Sequence, residues 1–249
     1  MTRDALRTLL FAAATFTSIM ALHQTTQAGP PLLCRPFEID GARSLPWDGP
    51  HWRSVKADYQ INRLVDDTLA LLTPETPVIV RMETLRRAAI YAVWSLNDRE
   101  VGYVARDLST ANELLSRLRE RARQENGRHQ ALALFDIGYL TETFKQAAPV
   151  MQERHQLRAL QRDLKLDGDI DGYASVIKAI EMRRGDAVME FAAAIIAQHP
   201  RRADLRAHLQ KAVAGAPDGS LLARNLVIHF NDRGKSVAEL RAQLGLAKN

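Results

Sequence analysis

The residues with the most suggestive spacing for chemistry are three aspartates in the run Asp167-x-Asp169-x-Asp171-Gly172. They match positions 1, 3, 5 and 6 of a calcium-binding loop, which supply carboxylate ligands and a sharp turn. Position 12 of such a loop is a bidentate glutamate, but here it is Lys178, a cation where a hard metal needs oxygen ligands. We therefore interpret the run as a polar turn in which Asp169 or Asp171 caps the next helix, and we predict no calcium binding.

The histidines do not have the spacing of a metal site. A zinc-binding helix needs two histidines at i and i+4 with an acidic residue nearby, as in H-E-x-x-H. No two histidines beyond residue 28 are placed this way; they are His51, His129, His155, His199, His208 and His229. We expect His229, which lies beside an apolar stripe, to be a core residue with satisfied hydrogen bonds. The sequence predicts no metal-binding or cofactor-binding residue.

The chain offers little for nucleophilic catalysis. It contains no G-x-S-x-G elbow, and Cys34 is its only cysteine, so no disulfide can form within the chain. Cys34 is predicted to lie away from any helix N-terminus, the position that lowers the pKa of a thiol. Three states of this residue stay open. They are burial as a small hydrophobe, which its apolar neighbours favour, a bond to another chain, and a reactive thiol.

Glu142 and Glu190 are the best candidates for acid catalysis, because each lies on a predicted helix beside an apolar face. An all-helical enzyme that cleaves sugars needs a carboxylic acid in a groove. We interpret both glutamates as surface charges. The arginines between residues 117 and 123 alternate with glutamates, so we interpret that run as a solvated, self-paired helix face. No catalytic residue is predicted, and the sequence favours a protein that is not an enzyme.

The first 28 residues have the three parts of an export signal. Arg3 and Arg7 are basic, Thr8–Leu22 carries no charge, and Thr26-x-Ala28 offers small residues for cleavage after Ala28. We predict a signal peptide over residues 1–28 and an exported protein, periplasmic or secreted.

Two alternatives to this cleavage are weaker. A membrane anchor requires about 20 apolar residues, and this run is shorter and interrupted by Thr and Ser. A lipoprotein signal requires a small residue before the cysteine, but Leu33 precedes Cys34. Without residues 1–28 the formal net charge falls from +5 to +4, because that segment carries two arginines and one aspartate. So small an excess does not favour nucleic acid, and no second apolar run is long enough for stable membrane insertion.

Residues 29–53 are predicted to form an extended N-terminal strap. Prolines interrupt any helix there; they are Pro30, Pro31, Pro36, Pro46 and Pro50. The segment is nevertheless too apolar for a linker, with Phe37, Trp47 and Trp52 among its large side chains. We expect it to lie across the helices. Trp47 and Trp52 have two interpretations, burial of the strap against the helices, which we favour, and a recognition hook.

From residue 54 to residue 249 the apolar residues recur with the helical period of 3.6. The stop and start signals, such as Gly185-Asp186 and the capping box Ser236-x-x-Glu239, divide this part into about nine to eleven helices with short loops. Short loops place neighbouring helices antiparallel. Gly138 is expected to allow a close approach between two of them. The sequence predicts an all-α fold of stacked antiparallel hairpins, an α-solenoid that forms a single helical-repeat-like domain.

One helix resembles the second helix of a tetratricopeptide repeat, through Ala187, Phe191, Ala194 and Pro200, and the resemblance implies stacked helical hairpins. The stretches Gly29–Cys34 and Ser44–Trp47 resemble the mature start of an uncharacterised family of short exported bacterial proteins. That second resemblance implies export and adds no chemistry.

These observations lead to a hypothesis of function from architecture. Solenoids of hairpins form concave surfaces that bind extended chains, so we expect a non-enzymatic scaffold for a protein or peptide partner. The alternative is an all-helical periplasmic hydrolase that acts on cell-envelope polymer. A cleft with a carboxyl group of shifted pKa indicates the hydrolase, and a wide groove without one indicates the scaffold. No cofactor and no nucleic acid are expected, and the oligomeric state stays open.

Overall fold

The computed structural model describes residues 29–52, 54–95, 104–105, 108–147, 164, 166, 171–198, 202–230, 233 and 235–246. Within these ranges the fold is helical apart from one pair of two-residue strands, which confirms the predicted all-α class. The predicted signal peptide lies outside the described residues. No helix in the described part is both long and apolar enough to span a membrane.

The helices of the described residues follow one another along the chain with one short strand pair between the third and fourth. They are α1 (Pro31–Cys34), α2 (Leu64–Leu71, after a 3-10 turn at Ile61–Arg63), α3 (Val78–Val93), α4 (Ser109–Gln124), α5 (Gly127–Ala147), α6 (Gly172–Met182), α7 (Ala187–Ile196), α8 (Arg202–Ala214), α9 (Leu221–His229) and α10 (Val237–Gln243). Strands β1 (Trp94–Ser95) and β2 (Val104–Ala105) are antiparallel, with Trp94 opposite Ala105.

The N-terminal segment, defined here as residues 29–60, begins with a one-turn helix that the sequence did not predict. Pro31 is at its start, where the missing N–H costs nothing because the first helical amides have no helical acceptor. The Pro30 carbonyl accepts from the amides of Leu33 and Cys34, each at 3.0 Å. The prediction of extended structure was therefore wrong for residues 31–34, because a proline pair begins a helical turn as readily as it ends one.

Side-chain caps begin several of the helices. Asp186 accepts a hydrogen bond from the amide of Val188 at 3.0 Å and so begins α7 where the sequence predicted. Ser236 accepts from the amide of Glu239 at 3.1 Å, which is one half of the predicted capping box. The other half differs, because the Glu239 carboxylate accepts from the amide of Lys235 at 2.8 Å rather than from that of Ser236.

Helix α5 lies at the centre of the packing. It contacts α3, α4 and α6, and also α1 and α7. Helix α3 is buried on almost every side, and its buried residues include the charged side chains of Arg81, Glu83 and Arg86. Because a buried charge is costly unless it is paired and hydrogen-bonded, these three side chains must find partners inside the fold.

Helices α5 and α6 cross at two glycines. A Cβ atom on Gly138 would lie 2.5 Å from the carbonyl oxygen of Gly172, and a Cβ atom on Gly172 would lie 2.6 Å from the carbonyl oxygen of Gly138. The two backbones therefore touch directly. The sequence predicted the close approach at Gly138 but not its partner.

Gly138→Ala is expected to lower the free energy of unfolding by about 1–3 kcal/mol, the usual cost of overpacking. The new methyl group meets a backbone oxygen, which cannot rotate away, and this cost exceeds the gain of up to about 1 kcal/mol in helix propensity. Urea unfolding of the variant measures the loss. Gly172→Ala should behave alike, and the double variant should lose less than the sum, because helices already forced apart accommodate both methyl groups. A urea midpoint equal to that of the wild type would contradict the contact.

Candidate functional site

The most densely bonded group in the interior is the Glu83 carboxylate on α3. Its Oε1 accepts from Arg86 Nη2 at 2.8 Å and from Arg87 Nε at 2.7 Å, and its Oε2 accepts from Arg86 Nε at 2.7 Å and from the Phe37 amide at 3.0 Å. Burial alone would raise the pKa of Glu83, but the two arginines and the amide lower it below its usual value. The carboxylate is therefore held ionised in the core.

Arg86 and Arg87 connect the Glu83 carboxylate to the N-terminal segment. Arg86 Nη1 donates to the Leu33 carbonyl at 3.0 Å, and Arg87 Nη1 donates to the Leu45 carbonyl at 2.5 Å. Their guanidinium carbons lie 4.9 Å and 5.5 Å from the ring centre of Trp47, which is half-buried. Since the partners of these charges are the chain's own groups, the cluster fastens the N-terminal segment to α3 and offers no position for a ligand.

A second buried ion pair joins α3 to α5. Arg81 Nη1 donates to Asp136 Oδ2 at 2.5 Å, and both side chains are 1% exposed. The other oxygen, Oδ1, has no hydrogen-bond partner among the described residues. Burial raises the pKa of Asp136 to about 6, although Arg81 and Arg121 lower it. Asp136 is therefore a carboxyl group of shifted pKa, the feature that we expected of an enzyme.

The space beside Asp136 is too small for a substrate. The cavity that it lines with Arg81, Arg121, Glu125 and His129 has a volume of about 10 Å³. That volume holds about one water molecule. The shifted pKa of Asp136 therefore results from burial between two helices, and it does not mark a catalytic cleft.

A chain of four polar side chains links α6, α7 and α8. Glu190 Oε2 lies 2.5 Å from His208 Nδ1, and His208 Nε2 lies 2.7 Å from the Tyr173 hydroxyl. The other Glu190 oxygen forms an ion pair with Lys211 Nζ at 3.0 Å. Glu190 is only 1% exposed, so its interpretation as a surface charge was wrong. The sequence contained a weak signal, because a glutamate within the apolar run of α7 has no solvent face.

The order carboxylate, imidazole and hydroxyl resembles the arrangement that activates a nucleophile. Here, however, Tyr173 and His208 are 8% and 9% exposed, and neither the cavity beside Asp136 nor the groove described below is lined by these residues. The four groups bond to one another and connect three helices. Their arrangement satisfies the hydrogen bonds of buried polar atoms, as an interior requires.

The other candidates from the sequence have local roles. Glu142 Oε1 accepts from the Tyr173 amide at 3.1 Å and pairs with Lys145 at 2.8 Å, so this glutamate is a helix cap and not an isolated surface charge. Asp171 caps α6 by accepting from the Ala174 amide at 3.2 Å, as predicted. Asp167 and Asp169 lie outside the described residues. Within the described residues no three His, Cys, Asp or Glu side chains are grouped to hold a metal.

His229 ends α9 inside the core and is 1% exposed. Its ring stacks on Phe37 at a centroid distance of 4.4 Å. Neither ring nitrogen has a side-chain hydrogen-bond partner among the described residues, and the polar contact of the ring is with the Pro36 backbone. The expectation of a core residue is therefore confirmed, and that of fully satisfied hydrogen bonds is not. The pKa of His229 is lowered to about 3, mainly by burial and also by the charges of Arg35 and Arg86, although a hydrogen bond to the Pro36 backbone acts in the opposite direction. The imidazole is therefore neutral in the folded protein.

A groove of about 490 Å³ lies between the N-terminal segment, α9 and α10. Its apolar side chains come from α9 and α10; they are Ala223, Val227, Ile228, Val237 and Ala238. The volume lies in the range of about 300–1,000 Å³ that is usual for ligand clefts. The groove is open to solvent, and its charged lining residues, Glu38, Asp218 and Arg224, stand at the rim.

The rim is fixed by bonds over a long sequence separation. Asn225 Oδ1 accepts from the Glu38 amide, and its Nδ2 donates to the Glu38 carbonyl, each at 3.0 Å. Arg224 Nε donates to Glu38 Oε2 at 2.9 Å. This groove was not predictable from the sequence, because Glu38 and Asn225 on α9 are 187 positions apart and no local pattern relates them.

Comparison with known proteins gives no match, whether to family models, to curated proteins or to solved structures.

Proposed function

We propose that this chain is an exported, non-enzymatic helical scaffold that binds a protein or peptide in the groove between α9, α10 and the N-terminal segment. The open groove carries the proposal, because its floor is apolar and its polar groups lie at the rim, as in surfaces that bind other chains. Asp136, the carboxyl group whose pKa is raised within the described part of the chain, lies in a cavity of about 10 Å³ and not in this groove.

Stacked antiparallel hairpins are part of this proposal. Contacts between consecutive helices support it, since α2 packs on α3, α4 on α5, α7 on α8, and α9 on α10. The N-terminal segment acts in it as a strap that ties distant helices together. Its bonds to Glu83 and Arg86 on α3, and to Asn225 on α9, support that role.

Val227→Asp is expected to abolish binding of peptides selected against the wild-type protein. Val227 lines the groove and is half-buried, so a carboxylate there adds charge to the apolar floor. Peptides are selected from a displayed random library, and their affinities for both proteins are measured by interferometry. Val188→Asp is the matched control, because Val188 is also half-buried but lies at the start of α7, outside the groove. Equal loss in both variants, or selected peptides that bind Val227→Asp normally, would refute the site.

The alternative function, a hydrolase of cell-envelope polymer, draws support from the Glu190–His208–Tyr173 chain. It requires a substrate to reach a hydroxyl group on a residue that is 8% exposed. Acid–base catalysis also requires the acting group to lie within hydrogen-bond reach of the substrate. The groove is already open to a partner, whereas the Tyr173 hydroxyl is accessible to a substrate only after a rearrangement. For this reason we prefer the scaffold.

Export predicts a shortened chain. When the full gene product is expressed with its own start, mass spectrometry of the periplasmic or secreted fraction should give the mass of residues 29–249, because the signal peptide is removed after Ala28. Replacing Ala28 with a bulky residue such as Leu should leave the precursor uncut. A full-length chain in the membrane fraction of wild-type cells would rule out this cleavage.

A further inference from the structure

The charged groups at the rim of the groove differ in how many of their polar atoms already bond within the chain. Arg224 donates from all three of its nitrogens, to Glu38, to the Gly219 carbonyl and to Asp40. Arg241 donates from Nη1 to Asp218 at 2.6 Å and from Nη2 to the Ala216 carbonyl at 2.6 Å. The donors at this rim are therefore largely occupied by the chain's own acceptors.

The carboxylates at the same rim keep oxygen atoms turned to solvent. The exposed fractions of the side chains of Glu38, Asp40 and Asp218 are 47%, 62% and 77%, against 39% for Arg224 and 23% for Arg241. Among the residues that line the groove, the two carboxylates of Glu38 and Asp218 accompany the one guanidinium group of Arg224, which also pairs with Asp40. Arg233, Lys235 and Glu239, in and after the connection between α9 and α10, are not among the lining residues. A partner therefore meets an acidic rim that accepts hydrogen bonds, above an apolar floor.

The walls of the groove also restrict the form of the partner. Helices α9 and α10 carry the apolar side chains that form the floor. Their backbone groups are used within the helices, so the groove presents no strand edge to which an extended peptide could add. A helical partner satisfies its own backbone and needs only side-chain contacts.

We propose that the groove binds a cationic amphipathic helix of a partner protein, with the apolar face on the floor and Lys or Arg residues against Glu38, Asp40 and Asp218. This inference rests on the proposed function, because it names the partner class of the same groove. Binding is side-on, through one helix face. Affinity falls with rising salt, since the charges that meet are exposed and screened.

Two labelled peptides of about 16 residues test the inference. One is an amphipathic helix of Leu and Lys, and the other has Glu in place of every Lys. Fluorescence anisotropy should give at least about tenfold tighter binding of the Leu–Lys helix at low salt, the effect of two or three exposed ion pairs. Asp218→Asn should weaken the Leu–Lys peptide a few-fold. Glu75→Gln, which removes one exposed carboxylate outside the groove, should leave its affinity unchanged.

The outcomes separate this inference from the proposed function. Equal affinity for the two peptides, with binding still lost in Val227→Asp, would overturn the cationic partner but keep the groove as a binding site. If Glu75→Gln weakens the Leu–Lys peptide as much as Asp218→Asn, attraction is not local and the inference is wrong. A dimer of the peptide-free protein that Val227→Asp dissociates, seen by sedimentation, would mean that a second copy occupies the groove. No binding of either peptide, together with no peptide selected from the library, would refute the proposed function itself. Melting curves of each variant confirm that it is folded.

Discussion

Glu83→Gln is expected to lower the free energy of unfolding by about 3–5 kcal/mol, the usual cost of breaking a buried ion pair from one side. The change keeps the shape of the side chain but removes its charge. Arg86, which is fully buried, then has no carboxylate partner among the described residues, and the Phe37 amide loses a charged acceptor. Because domains are stable by only about 5–15 kcal/mol, this loss removes a large part of the total. Urea unfolding at pH 7 measures it.

Glu181→Gln is the matched control, since it removes the same charge from an exposed position on α6. We expect its stability to stay within about 0.5 kcal/mol of the wild type. A second variant, Glu83→Leu with Arg86→Met, replaces both charges by apolar groups of similar volume. It should recover part of the loss, because the fully buried charge of Arg86 is removed together with that of Glu83 and only Arg87, which is 16% exposed, loses its carboxylate. If Glu83→Gln unfolds at the wild-type urea concentration, the cluster does not hold the N-terminal segment.

The helices and their ends were predictable from the sequence because the signals are local. A cap such as Asp186 lies two positions from the amide that it satisfies, and the apolar period of a helix is read within one turn or two. Gly138 was predictable for the same reason, as a small residue within an apolar stripe.

The bonds that close the fold were not predictable, because their partners are far apart in the sequence. The Glu83 carboxylate meets the Phe37 amide 46 positions away, and Arg81 meets Asp136 across 55 positions. A charged residue on an amphipathic helix normally faces solvent. On α3 that face is covered by the N-terminal segment, and no local sequence pattern indicates that it is buried. The groove was missed for the same reason.

His229 should make the folded protein less stable in acid. Its pKa is lowered to about 3 in the folded state, from an ordinary value of 6.5. Below pH 6.5 the unfolded chain therefore takes up a proton that the folded protein does not, so stability is complete above that pH and declines as the pH falls toward 3. At about 1.4 kcal/mol per unit of pH, the loss between pH 6.5 and pH 4 is about 3 kcal/mol.

Other groups titrate in the same range, so the effect of His229 has to be taken as a difference. Asp136, whose pKa is raised to about 6, binds its proton earlier in the folded state and stabilises the fold as the pH falls below that value. Glu83, whose pKa is lowered, acts in the opposite direction below about pH 4.5. Both groups are present in the wild type and in a variant at position 229, and so their contributions cancel in the comparison.

His229→Phe is the variant that isolates the imidazole. Phenylalanine keeps a ring against Phe37 and Phe191, and it removes the group at this position that can take up a proton. At pH 7 its free energy of unfolding should be close to that of the wild type, because the ring packing is kept and the lost contact of a neutral imidazole with the Pro36 backbone is worth only about 1 kcal/mol. From pH 6.5 to pH 4 the variant should gain about 3 kcal/mol over the wild type, as measured by urea unfolding at each pH. In the wild-type protein the C2 proton resonance of His229 should not titrate between pH 7 and pH 5. A constant difference between the two proteins across this range, or a titrating resonance, would show that the imidazole reaches a proton in the folded state and is not held neutral by burial.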